Sequence, residues 1–144
     1  MPQPGLRVVS GLPFLKERLS QLYIARRQGK ADEFAAGFAE DGVFTLVGDT
    51  RLIPQAGPRH GRKAIAAVIR DLFRAYEYVD AMVIDTIVDL NAAVVRRHLT
   101  LKSVATGAVG EFEVADFMVL RNGEIAELTQ FMDTASLALL TGRI

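Results

Sequence analysis

Residues 111–133 read EFEVADFMVLRNGEIAELTQFMD. Apolar residues recur at every second position on both sides of Arg121-Asn122-Gly123, which predicts two antiparallel strands joined by a tight hairpin. A three-residue loop with Gly123 in the left-handed conformation places Leu120 opposite Glu124. In that register Phe112, Val114, Asp116, Met118 and Leu120 share a face with Ala126, Leu128, Gln130 and Met132. Glu113, Ala115, Phe117 and Val119 share the other face with Ile125, Glu127, Thr129, Phe131 and Asp133, because side chains alternate along a strand. A sheet buries its more apolar face, so the first set looks inward, with Asp116 and Gln130 as its polar members.

Before this hairpin, Val79 to Leu90 and Ala92 to Val104 are strand-like, with turns at Asn91 and at Thr106 to Gly110. Val95, Arg97, Leu99 and Leu101 lie on one face. A short loop near Gly107 places Leu99 opposite Asp116 and Arg97 one step away. Earlier still, Ile65, Val68, Ile69, Leu72, Phe73 and Tyr76 form one stripe of a helix starting at Arg62, whose other face carries Arg62, Lys63, Arg70, Asp71 and Arg74. Gly42 to Val47 reads as a short strand and Gly48 to Gly61 as a loop.

Two helices are expected ahead of that strand. From Pro13 to Gly29 the residues Leu15, Leu19, Leu22, Tyr23 and Arg26 recur at helical spacing. A shorter helix over Asp32 to Ala39 has Phe34 and Phe38 on its buried side and Asp32 as its cap. Helices come first and a meander of strands follows, which implies an α+β fold rather than a parallel α/β one. The expectation is a cone: three N-terminal helices on a curved antiparallel sheet around an apolar pocket, with room for a short C-terminal helix. Residues 1–11 are expected as a flexible tail and 12–144 as one domain, a length that builds a single core.

Composition narrows the function. Lys plus Arg number 17 and Asp plus Glu number 17, so no net field gathers nucleic acid or anionic lipid. The absence of cysteine excludes disulfides, thiolate metal sites and a cysteine nucleophile. No apolar run resembles a signal peptide or reaches the roughly 20 residues of a membrane span, so a cytoplasmic protein without membrane contact is expected. The two histidines, His60 and His98, have no acidic neighbours at ligand spacing, and no HExxH is present, so no metal is expected. The glycines match neither GxGxxG nor GxxxxGK[ST], and no GxSxG elbow occurs, so no cofactor is expected and serine hydrolysis is set aside.

Asp116 is the unusual residue. A carboxylate among apolar neighbours costs several kcal/mol unless it is paired or protonated, so it either has a partner, for which Arg97 is within reach, or a raised pKa suited to catalysis. Tyr23 shares a helix face with Leu19 and Leu22 and reads either as a core tyrosine or as a hydroxyl in the pocket. His60, in the loop before the third helix, is a candidate acid or base at the pocket mouth. Asp49 reads as a solvated turn former, and His98 points to the outer face.

The order and spacing of short motifs add a resemblance. They are Leu22-Tyr23-Ile24-Ala25, Gly29-Lys30-Ala31-Asp32, Phe38-Ala39-Glu40-Asp41-Gly42, His60-Gly61-Arg62-Lys63-Ala64-Ile65, Ala115-Asp116-Phe117, Asn122-Gly123-Glu124-Ile125 and Phe131-Met132-Asp133-Thr134-Ala135. Across nearly the whole chain this arrangement resembles the nuclear-transport-factor-2-like superfamily, in particular its SnoaL-like branch with steroid delta-isomerase and limonene epoxide hydrolase relatives. The resemblance implies a cone that accepts small apolar molecules and a homodimer through the outer sheet face. Tyr23 and Asp116 resemble the oxyanion-hole pair of the steroid isomerases, a tyrosine and a protonated aspartate that form a trio with a second aspartate as base. The base of that trio falls on Leu46. Arg97 and Gln130 resemble polar positions of the epoxide hydrolases, whose water-activating carboxylates fall on Leu99 and Gln130.

These readings give one expected site. Asp116, Tyr23, Arg97 and His60 are the catalytic candidates, and Leu46, Leu99, Phe112, Val114, Met118, Leu128, Gln130 and Met132 are the expected pocket lining. Three functions fit it: a cofactor-free isomerase, lyase or hydrolase acting on a small apolar or polyketide-like molecule, a binding domain without chemistry, or a dimeric interaction module using Phe117 and Phe131.

Overall fold

Ten elements follow one another in the computed structural model, which describes residues 3–144, with side chains from Pro13 onward. Helix α1 spans Gln3–Arg27 and α2 spans Ala31–Ala36. Strands β1 (Phe38–Leu46) and β2 (Gly57–His60) precede α3 (Arg62–Ala75). The meander β3 (Tyr76–Asp89), β4 (Ala92–Ser103), β5 (Val109–Arg121) and β6 (Glu124–Met132) leads into α4 (Thr134–Leu140). The order confirms an α+β fold.

The six strands form one unclosed sheet in the order β2-β1-β6-β5-β4-β3. It is mixed, not wholly antiparallel as expected: β1 runs parallel to β6, while every other neighbouring pair is antiparallel. Part of the expected loop, Gly57–His60, pairs with Val43 to Leu46 as the edge strand β2.

Helix α1 begins before the position expected. Pro13 lies inside it, where the missing N–H removes one ladder hydrogen bond. Of the expected tail, positions 1 and 2 lie outside the described residues, and α1 occupies the rest from Gln3. Helix α2 is shorter than expected, because Gly37 packs against α1 so closely that a Cβ there would lie 2.5 Å from Leu22 Cδ2. Phe38 consequently starts β1, fully buried. Asp32 does not cap α2. It lies in the first turn and pairs with Arg70 at 3.1 Å.

The hairpin corrects two registers and keeps one prediction. Asn122 and Gly123 both take positive φ, 54° and 77°, so the turn has two residues and Arg121 faces Glu124. A bulge between Val119 and Leu120 then sets Leu120 opposite Ile125, turning Ile125 inward although alternation had assigned it outward. Beyond the bulge Asp116 faces Gln130 and Met118 faces Leu128. On the other side Leu99 faces Phe112 rather than Asp116, and Asp116 faces Val95. Away from the bulge each displacement is an even number of residues, so Arg97, Asp116 and Gln130 keep their inward faces.

The core lies between the helices and that inward face. Phe34, Phe38, Phe44, Leu46, Ile53, Ile65, Ile69, Leu99, Met118, Ile125 and Leu128 are among its fully buried side chains. Asp133 caps α4, accepting from the Ser136 N–H at 3.0 Å.

Candidate functional site

Leu19, Tyr23 and Arg26 are spaced four and three residues apart, so they project from one face of α1. That face meets β3, the edge strand next to β4. Two bulges interrupt β3, between Tyr78 and Asp80 and between Val83 and Asp85, so its side chains do not alternate cleanly. Helix and strand therefore leave a gap. It is a cavity of about 400 Å³, lined by Leu19, Tyr23, Arg26 and Arg27 of α1, by Tyr78, Ala81 and Met82 of β3, and by Arg97 of β4, among others. Its size lies in the range of small-molecule sites.

At its inner wall the polar residues of the core converge. Asp116 is 1% exposed. Its Oδ2 accepts from the Tyr23 hydroxyl at 2.5 Å and from Arg97 Nη2 at 2.9 Å. Arg97 Nη2 also donates to Gln130 Oε1 at 3.2 Å, and its guanidinium carbon lies 5.3 Å from the Tyr23 ring centroid. Asp116 Oδ1 and Arg97 Nε have no partner among the described residues. Asp116 therefore has the partner that one of its two readings called for, the buried Arg97 guanidinium.

Burial, and then the Asp116 charge, push the Tyr23 hydroxyl well above the ordinary tyrosine range. Tyr23 is thus a neutral phenol at any physiological pH. Burial works against the charge on Arg97, but Asp116 and the two tyrosines outweigh it and the guanidinium stays protonated. Tyr23 and Arg97 reach the cavity, and Asp116 stands directly behind them.

The sequence-derived candidates separate cleanly. Tyr23, Arg97, Asp116 and Gln130 come together. His60 does not: it is exposed on β2, paired with Val43, because that segment forms an edge strand instead of a loop over the mouth. The expected lining is also corrected. Leu46, Leu99, Phe112, Val114, Met118, Leu128 and Gln130 are buried and Met132 half-buried, packed into the core instead of around an opening. None of them lines the cavity, since the large side chains of the inward face fill the space beneath the helices. Asp49 is exposed and bonded to Arg51, which holds its carboxyl down at about 2. His98 sits on the outer face against Glu111 and Glu113.

Residues missed in the lining include Arg26, Tyr78, Ala81 and Met82. One signal existed, an arginine in the apolar stripe of α1. The bulges of β3 left none. Among the described residues no group of three or more His, Asp or Glu side chains converges as metal ligands, and no helix is long and apolar enough to cross a membrane.

The family model of the SnoaL-like domain matches residues 19–128. No curated protein matches the chain. Among solved structures, a nuclear-transport-factor-2-like protein of unknown function from Burkholderia pseudomallei superposes with a TM-score of 0.78 at 18% identity, covering 88% of this chain and 96% of its own. A protein from Jannaschia provisionally named a SnoaL-like polyketide cyclase gives 0.77 at 14%, covering 90% and 92%. A protein from Rhodopseudomonas palustris provisionally named an isomerase gives 0.75 at 19%, covering 90% and 97%. At these identities the likeness establishes the fold.

Proposed function

The chain belongs to the SnoaL-like domain family, and from that premise we propose that it converts a small apolar or polyketide-like molecule by cofactor-free acid–base chemistry of the isomerase, lyase or hydrolase kind, in the cavity between α1 and β3. The observation that carries this reading is the buried chain Tyr23–Asp116–Arg97, two members of which reach the cavity wall. Buried titratable groups converging on a cavity are costly and are a mark of functional sites.

The geometry suits a relay. A proton leaving a carbon beside a substrate carbonyl passes to the Tyr23 oxygen while the Tyr23 proton moves to Asp116 Oδ2. Tyr23 never becomes a phenolate, which its displaced pKa would resist. Negative charge disappears from Asp116 and appears on the substrate oxygen, and Arg97 stabilises it in the new place as it did in the old. The reverse transfer to another carbon yields an isomer, and expulsion of a leaving group yields an eliminated product. Tyr23 and Arg97 are the catalytic residues, and Asp116 acts through Tyr23.

The test is hydrogen exchange in D₂O with a panel of enolisable cyclic ketones, including 3-cyclohexenone. Wild type should incorporate deuterium beside the carbonyl, and Tyr23→Phe should lower the rate by about 10²-fold or more, as for loss of a positioned proton-transfer group. Exchange that persists in Tyr23→Phe removes the relay.

One observation favours a second reading, a binding domain without chemistry: among the described residues no carboxylate lines the cavity directly. No exchange across the panel, together with an unaltered molecule recovered from gently purified protein by mass spectrometry, would decide for it. The proposal extends to a homodimer through the outer sheet face, where Phe117, Val119 and Phe131 stand exposed. Sedimentation as a monomer at micromolar concentration would count against the dimer.

A further inference from the structure

Arg26 is 2% exposed, yet no carboxylate pairs with it among the described residues. Its Nη2 donates to the Tyr78 hydroxyl at 3.3 Å, and its buried Nη1 has no partner among the described residues. Three rings surround the guanidinium carbon, with centroids at 5.3 Å for Tyr78, 5.7 Å for Phe73 and 5.9 Å for Phe34. The Phe73 and Tyr78 rings stack at 4.3 Å and hold the cage rigid. Cation–π contacts offset part of the desolvation of the charge. They supply no acceptor for an N–H, and a buried donor left unmatched is costly.

Arg26 lines the cavity, as do Arg27 and Arg97, and the cavity wall contains no Asp or Glu. The one carboxylate behind the wall, Asp116, is committed to Arg97 and Tyr23. Residues 1–12 contain no acidic residue either, so that segment brings no counter-ion. In a chain with no net charge, the cavity wall is a local concentration of positive charge, and within it Arg26 Nη1 is a buried donor with no acceptor among the described residues.

We infer that the ligand is a compact apolar molecule bearing one carboxylate, and that Arg26 Nη1 is the group that receives it. The inference rests on the reading of the α1/β3 cavity as the ligand site and names the class of molecule taken there. A carboxylate fits better than a phosphate because one donor nitrogen is open while the remainder of the guanidinium faces aromatic rings. A lone acceptor oxygen completes Arg26, and the apolar body lies against Leu19, Ala81 and Met82.

The experiment compares 2-naphthylacetate with its uncharged isostere 2-naphthylacetamide, titrated against the full chain by intrinsic naphthyl fluorescence. Wild type should bind the acid at least about tenfold more tightly than the amide, and Arg26→Gln should bring the two affinities together, while Lys16→Gln, at an exposed position of the same helix outside the cavity wall, should leave the ratio in place. The wild-type ratio needs no variant, so it decides the matter even if Arg26→Gln does not fold. Equal binding of acid and amide overturns the inference while leaving the cavity as a site, and so does a preference for the acid that persists in Arg26→Gln. Failure of both probes to bind overturns this inference and the cavity reading together. A tenfold preference without any hydrogen exchange in D₂O upholds the inference while the conversion reading falls.

Discussion

Two arginines reach the same cavity from different elements, and both are almost completely buried, Arg26 on α1 at 2% exposure and Arg97 on β4 at 4%. Arg97 meets a carboxylate, a glutamine and the face of Tyr23. Arg26 meets three aromatic rings and one hydroxyl. Burial alone therefore does not say what a cation is for. The charge on Arg97 is closed within the fold, whereas Arg26 Nη1 is left without an acceptor among the described residues, and disturbing the first should cost far more stability than removing the second.

The largest effect is expected from opening the closed pair. Asp116→Asn keeps the shape of the side chain but leaves Arg97 buried without a counter-charge, and should cost about 3–5 kcal/mol, read from the urea midpoint. The double variant Arg97→Met, Asp116→Leu should recover most of that loss, because an apolar pair of similar volume needs no solvation. If Asp116→Asn unfolds at the wild-type midpoint, the two arginines are not different in kind and the comparison fails. For the same reason Asp116→Asn is a poor probe of turnover, and Tyr23→Phe, which spares the ion pair, is the better one.

Next in size is a change that disturbs only the aromatic cage. Gly29 holds a φ of 73° where α1 ends, and a Cβ there would lie 2.9 Å from Phe73 Cδ2. Gly29→Ala should cost about 1–3 kcal/mol through the left-handed backbone, and it pushes Phe73 against the ring of Tyr78. Thermal melts would show the loss. The acid-over-amide preference should weaken at the same time, since Arg26 loses the walls that aim it. An unchanged preference would mean that the cage is packing and nothing more.

Arg26→Met should change stability by less than about 1 kcal/mol in either direction, because the lost cation–π contacts are offset by release of an unmatched charge. That near-neutral result beside the large loss at Asp116 is the sharpest form of the contrast. A loss of several kcal/mol for Arg26→Met would instead place Arg26 among the structural charges.

Much of the closed pair was legible in the residues, and the reason is periodicity. Asp116, Gln130 and Arg97 sit on inward faces that depend only on alternation, so a strand slipped by two or four residues still presents them correctly. Ile125 shows the limit, since a single bulged residue turned it inward. The open arginine was visible only as a charged member of an apolar helical stripe. Its surroundings were not legible, because Tyr78, Ala81 and Met82 belong to a strand whose two bulges erase any inside–outside pattern. His60 misled for a different reason: four residues with one proline carry little strand signal, yet β1 pairs with them through its free edge.

The smallest expected effect comes from His98, the neighbour of Arg97 in sequence, which shows what the same strand does with a charge in water. His98 Nε2 lies 2.9 Å from Glu111 Oε1, and Nδ1 lies 3.8 Å from Glu113 Oε2. The Glu111 hydrogen bond, helped by both carboxylate charges, raises its pKa above the ordinary histidine value. A raised value means that the pairing contributes fully below about pH 6.5, the unfolded pKa, and is lost as pH rises through the folded one. The thermal midpoint should therefore fall slightly from pH 6 to pH 8, and His98→Gln should flatten that slope, with added salt doing the same because solvent screens the pair. The Arg97–Asp116 pair, one residue away on the opposite face, should show far less salt dependence, since both side chains are almost completely buried. A pH slope and a salt dependence that His98→Gln leaves unchanged would remove His98 as their source and place them with other exposed pairs such as Arg96–Asp85 and Arg121–Asp41.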